Sequence, residues 1–173
     1  MNKIAFPNHT IIIIKRKDDH NDIKGKRTHS DPGSSDTGKS CIEKYGKYAR
    51  QARDPELKSL FQTLQKKEQE HYDSLSQVLS GTVPQVNCND SDGRDYQPKT
   101  TYTSVMSSED KEHDAFLATD CIGTEKTDFR SEYNSEVFAF EDSGVRKLLA
   151  DIQVEEQNHA EMLYKYKTAN GMF

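Results

Sequence analysis

Apolar residues keep a helical rhythm through most of this chain, and the rhythm stops twice. Asp54-Pro55-Glu56 reads as a helix start, an N-cap followed by proline at the first helical position. Leu57, Leu60, Phe61, Leu64, Tyr72, Leu75, Val78 and Leu79 then recur at helical spacing and predict an amphipathic helix over 55–79. Upstream, Cys41, Ile42, Tyr45, Ala49 and Ala52 predict a shorter helix over 39–53. Ser108-Glu109-Asp110 is an acidic helix start, and the helix it opens is expected over 109–141, up to the break at Asp142-Ser143-Gly144. Val145, Leu148, Leu149, Ile152, Leu163 and Tyr166 predict a last helix over 144–170, closed by Asn170-Gly171.

Two segments lack this rhythm. Residues 1–35 read as a disordered or irregular, flexible tail in which only Ile11 to Ile14 suit a short strand. From Arg16 to Gly38 the single aliphatic residue is Ile23, too little apolar area to offset the entropy of ordering. Residues 80–108, with Gly81, Pro84, Gly93 and Pro98, read as a linker. The predicted units are a first helical hairpin at 36–79 and a second at 109–173, within one domain spanning 36–173.

The hairpins match each other at an offset of 88 residues: Tyr45 aligns with Tyr133, Asp54 with Asp142, Leu60 with Leu148, Gln65 with Gln153, Glu68 with Glu156, Gln69 with Gln157, His71 with His159 and Leu75 with Leu163. An internal repeat of two hairpins with one long crossover predicts an all-α four-helix bundle.

Composition narrows the function. Of 173 residues 32% are hydrophobic and 31% charged, mean hydropathy is −0.96, and the net charge is −5 with both signs mixed. No apolar run is long enough for a membrane span. The mixed charge disfavours nucleic acid, which selects a clustered basic surface. Cys41, Cys88 and Cys121 are odd in number and widely spaced, against a disulfide scaffold or zinc ribbon. Pro7, Asn8 and His9 interrupt the N-terminal apolar stretch, so no signal peptide is expected.

The chemistry lies on the apolar stripes. Glu68 and His71 interrupt the stripe Leu57, Leu60, Leu64, Leu75, and Glu156 and His159 interrupt the stripe Leu148, Ile152, Leu163. Residues three apart share a helix face, so each Glu-x-x-His pair points inward. A buried carboxylate costs several kcal/mol unless it is paired or coordinates a metal. Dinuclear carboxylate bundles take one such pair plus one further Glu from each half. Glu125 lies on the stripe Ile122, Phe129, Tyr133 and supplies that Glu in the second half. The equivalent position in the first half is Thr37, with Asp36 beside it and Glu43 off the apolar face. The candidate metal ligands are therefore Glu68, His71, Glu125, Glu156 and His159, an incomplete dinuclear set for Fe or Mn. The alternative without metal is a vestigial cluster in which Glu and His pair across the bundle.

The segments FLATDCIGTEK (116–126), SEYNSEVFAFED (131–142) and 145–173 are similar to the spore coat F family of the ferritin-like superfamily. The first half, 41–75, is similar to the partner hairpin of such proteins, and the resemblance covers about 100 residues. It implies a ferritin-like four-helix bundle and a structural role rather than catalysis. It also implies synthesis in the mother-cell cytoplasm, a place in the endospore coat, and partners among other coat proteins or copies of this chain. The departure from the family pattern is HSDPGSSDTGKS (29–40), which replaces the first turns of helix one and its inward Glu. The alternative function is a di-iron or di-manganese oxidoreductase of rubrerythrin type that disposes of peroxide.

Gly33-x-x-x-x-Gly38-Lys39-Ser40 formally matches a P-loop, which cradles phosphates at a helix N-terminus after a buried strand. The ten residues before it, IKGKRTHSDP, are polar. The match therefore reads as a Gly/Ser-rich segment leading into a helix, with nucleotide binding a remote alternative.

Overall fold

The computed structural model describes residues 2–6, 10–16, 23–27, 37–86, 91–103, 107–136 and 140–173. For the three N-terminal segments and for 37–40 and 125–136 it describes the backbone. From Thr37 onward the regular structure is helical: α1 (Thr37–Gln51), α2 (Pro55–Leu79), α3 (Asp92–Asp95), α4 (Ser108–Glu136) and α5 (Ser143–Ala169). The four long helices lie close to the ranges predicted from periodicity.

The N-terminal region differs from the single short strand expected there. β1 (Asn2–Phe6), β2 (Thr10–Arg16) and β3 (Ile23–Arg27) form an antiparallel meander in that order. Ile12 is opposite Ile4 on one side and Arg27 on the other. Thr10 to Ile14 are all β-branched, which suits a central strand. The polar β3, IKGKR, pairs as an outer strand, where charge is well tolerated.

The helices form where local chemistry permits. Asp54 caps α2, accepting from the Glu56 amide at 3.0 Å, and Pro55 opens the first turn. Asp142 caps α5, accepting from the Gly144 and Val145 amides at 2.7 and 3.0 Å. At the other end of α5, Gly171 takes φ +60, and the Met172 amide donates back to the Lys167 carbonyl at 3.0 Å. Met172 is buried.

α1 packs on α2, α4 on α5, and α2 meets α5. The apolar core falls into two clusters. One gathers Tyr45, Leu57, Phe61, Leu64, Leu163 and Tyr166, and the other gathers Cys41, Leu75, Val78, Leu148, Leu149 and Ile152. The layer between Leu64 and Leu75 on α2, and between Ile152 and Leu163 on α5, is polar and buried.

The connection predicted over 80–108 carries α3 and is fastened to the bundle. Lys165 Nζ donates to the Gly93 and Arg94 carbonyls at 2.6 and 2.8 Å. Asn170 Oδ1 accepts from the Thr101 and Tyr102 amides at 2.8 and 2.9 Å. Nearby, two fully buried carboxylates are well supplied with donors. Asp114 accepts from the Arg53 amide at 3.0 Å, the Asp54 amide at 2.8 Å and the Tyr102 hydroxyl at 2.7 Å. Asp54 accepts from the Tyr166 hydroxyl at 2.7 Å and from the Thr101 hydroxyl. Both phenols are held well above the usual tyrosine range by burial and by these carboxylates, so they remain donors.

Candidate metal centre

The polar layer is built by α2 and α5. Glu68 and His71 lie on one face of α2, one turn apart, as do Glu156 and His159 on α5. All four are buried, each 6% exposed or less. The helices run antiparallel here, so each His faces the Glu of the other helix. His71 Nδ1 lies 3.0 Å from Glu156 Oε1, and His159 Nδ1 lies 3.2 Å from Glu68 Oε1. His159 Nδ1 is also 3.3 Å from Glu156 Oε2 on its own helix. The imidazole rings stack at 5.7 Å between centroids, tilted by 17°.

The two halves differ in one respect. His71 Nε2 lies 2.5 Å from Glu155 Oε2, so both its ring nitrogens face carboxylate oxygens. By contrast Glu68 Oε1, Glu156 Oε2 and His159 Nδ1 are buried with no hydrogen-bond partner, since their mutual approaches are too bent to be hydrogen bonds. Orphaned buried polar atoms are rare in folded proteins and call for an explanation.

Burial and mutual charge polarise the group. Burial and the Glu156 charge push the Glu68 carboxyl up. Burial also acts to raise Glu156, but the imidazoles of His159 and His71 outweigh it and hold Glu156 well below the usual range. Burial acts to lower His71, yet Glu155 and Glu156 hold it at about 9. His159 is raised well above its ordinary value by Glu156 and Glu68, against burial. Protons on the histidines thus balance the carboxylates when no cation is present. A divalent ion bound there would replace that balance and release protons.

The structure brings together four of the five candidate ligands. Glu68, His71 and Glu156 offer donor atoms within 4.8 Å of one another, a spacing that can hold a metal ion, and His159 adjoins them. Glu125 belongs to α4, but its side chain lies outside the described residues, as do Asp36 with the rest of 33–36 and the side chains of 37–40 in the P-loop match. Glu43 is exposed. Two carboxylates with imidazole suit divalent Fe, Mn or Zn, so the donor set fits Fe or Mn without singling either out.

Reasoning from the sequence missed Glu155, which sits one residue off the apolar stripe and acts across the interface on His71. The signal was present in the repeat: the position equivalent to Glu155 is Lys67, a reversal of charge beside an otherwise matching motif. Lys67 Nζ lies 3.5 Å from Glu155 Oε1. A cavity of about 20 Å³, enough for one water, is bordered by Lys67, Asp92, Glu155, Asn158 and His159.

No protein-family model matches the chain, and neither the curated proteins nor the solved structures compared with it give a match. Among the described residues, no helix is long and apolar enough to cross a membrane.

Proposed function

We propose that this chain is a metal-binding bundle of ferritin-like type, built from two repeated hairpins, with Fe(II) or Mn(II) as its ion. One observation carries the reading: three buried donor atoms, on Glu68, Glu156 and His159, share one interior space without hydrogen-bond partners. Bound Fe or Mn supplies one-electron chemistry of the kind peroxide disposal uses. The chain's own residues bind and orient. Glu68, His71 and Glu156 present donors with His159 beside them, Glu155 fixes the ring of His71, and Leu64, Leu75, Ile152 and Leu163 keep bulk water from the layer.

The test is thermal unfolding of the full chain with and without added Fe(II) or Mn(II), in the parent and in Glu156→Gln. A metal-dependent rise in the parent that the variant loses supports the reading. Absence of a rise in the parent returns the cluster to a purely structural role.

A second reading, a structural protein of the endospore coat, draws on the resemblance of 110–173 to coat F domains. One surface feature favours it. Phe173 and Tyr164 are 84% and 55% exposed and pack edge to face at 6.2 Å, an aromatic pair open to other coat proteins or to another copy of the chain. Sedimentation of the parent against Phe173→Ser tests it, since loss of self-association in the variant is the expected result. The two readings are compatible, because a coat component can also hold an ion.

A further inference from the structure

We infer that the divalent cation reaches the buried layer between α2 and α5 from the side covered by α3, through the small polar cavity that adjoins His159, and that α3 is the strap over this entrance. This rests on the metal-binding reading above and gives its ion a route.

Along the bundle axis the layer is closed. Leu64 and Leu163 bound it at one end and Leu75 and Ile152 at the other, all buried. From α1 and α4 the same two apolar clusters take Cys41, Tyr45, Cys121 and Ile122, also buried. An ion crossing such walls sheds its water with nothing in exchange, at prohibitive cost. The cavity differs in kind. It is bordered by Lys67, Asp92, Glu155, Asn158 and His159. Its room for one water and its polar lining suit solvent. His159 belongs to the layer, and Glu155 touches His71 Nε2, so the cavity reaches both histidines, one directly and one through a carboxylate. Asn158 is only 7% exposed, yet its Nδ2 has no hydrogen-bond partner. A buried amide of this kind is rare in folded proteins, and this one borders the only sort of space that can satisfy it, a wet one.

Charge at the mouth favours a cation. Two bordering carboxylates, Asp92 and Glu155, face one ammonium, Lys67, and a negative opening draws cations toward it. Lys67 Nζ lies 3.8 Å from Asp92 Oδ2 and 3.5 Å from Glu155 Oε1. Loose, partly exposed pairs of this length contribute little, so an arriving divalent ion can displace Lys67 from them. Over the mouth lies α3, which packs on α5. A Cβ at Gly93 would stand 2.8 Å from Asn158 Oδ1 and 3.0 Å from Asn158 Cα, so the glycine lets the strap close directly on Asn158. From outside, Lys165 Nζ holds it by the Gly93 and Arg94 carbonyls at 2.6 and 2.8 Å. A single helical turn has little stability of its own. Its ties therefore set how often it lifts, and lifting it costs far less than unfolding the bundle.

The test is kinetic. Anaerobic stopped-flow mixing of the full chain with Co(II), followed by its absorption, gives the uptake rate, and displacement by EDTA gives the release rate. Lys165→Ala cuts the ties and should speed uptake and release alike by about 10-fold, with Kd unchanged within about twofold, because an entrance alters rates and not the equilibrium. Asn158→Leu fills the cavity with an apolar group of similar size and should slow both rates by about 10-fold, again at constant Kd. Lys44→Ala is the control. Lys44 Nζ ties α1 to Asp120 of α4 at 2.8 Å, away from α3, and its loss should leave both rates at the parent's values. Circular dichroism checks that each variant is folded. Parent-like rates in either folded test variant, or an acceleration in Lys44→Ala as large as that in Lys165→Ala, overturn the inference while leaving a metal protein. No binding by the folded parent overturns the metal-binding reading and the route with it.

Discussion

Asp114 offers a demanding test of how the bundle is held together away from the buried polar layer. It is fully buried and receives the Arg53 amide, the Asp54 amide and the Tyr102 hydroxyl at 3.0, 2.8 and 2.7 Å. Asp114→Ala leaves these three donors without their acceptor where α1 turns into α2. An orphaned donor costs about 1–3 kcal/mol, and hydrogen bonds to a charged acceptor lie toward the upper end. The losses are not additive, because water reaches the partly exposed Arg53 amide once the side chain is gone. A net loss of about 3–5 kcal/mol is expected. In urea the midpoint should fall with little change in slope. By heat, about 2–4 °C per kcal/mol for a chain of this size gives a drop of about 6–20 °C. Asp114→Asn keeps one acceptor oxygen and should lose roughly half as much. Tyr102→Phe removes one donor and should cost about 1 kcal/mol. A loss below about 1 kcal/mol for Asp114→Ala would refute the reasoning.

Three further outcomes are expected. Replacing Glu68, His71, Glu156 and His159 together by Leu should raise the stability of the metal-free protein by about 1–4 kcal/mol in urea titrations, since apolar packing replaces buried ionic groups, and should abolish Mn(II) binding. His71 is held at about 9 from an ordinary 6.5, so its contribution is fully present below pH 6.5 and is lost as pH rises through about 9. Metal-free stability should therefore fall across that interval by up to roughly 3 kcal/mol, and a parent curve as flat as that of His71→Gln would contradict this. In Gly93→Ala the new methyl would stand 2.8 Å from Asn158 Oδ1, 2.9 Å from Glu161 Oε2 and 3.0 Å from Asn158 Cα. It should cost about 1–3 kcal/mol and speed amide exchange in α3, whereas unchanged exchange would mean that α3 does not pack there.

The long helices and four residues of the buried polar layer were legible because they obey one periodicity: a Glu and a His standing where leucine is expected are visible without coordinates. Glu155 was not, because its partner lies on another helix and its own position reads as solvent-facing. The network of Asp54, Asp114, Tyr102 and Asn170 was hidden for the same reason. Its members come from segments far apart in the chain, and only Asp54, as an N-cap, and Asn170, as a helix stop, carried local signals, neither of which pointed to the network. α3 is a single turn inside a Gly/Pro-containing stretch, too short to show a period. In the N-terminal region the run Ile11 to Ile14 announced a strand, but the five-residue β1 and the mostly polar β3 show themselves only through pairing.

The buried layer also answers a mechanical question that leucines alone leave open. Two antiparallel amphipathic helices can slide past each other by one turn, about 5.4 Å, and still bury apolar faces. Between α2 and α5 such a slide in one direction sets Glu68 against Leu163 and Glu156 against Leu75. In the other direction His71 meets Ile152 and His159 meets Leu64. Each shifted arrangement breaks both cross-helix Glu–His pairs and sets either the two Glu or the two His against aliphatic side chains, a cost of several kcal/mol that the observed alignment avoids. The groups that make the centre of this bundle a poor core thus act as its vernier: they define a single height at which α2 and α5 lock.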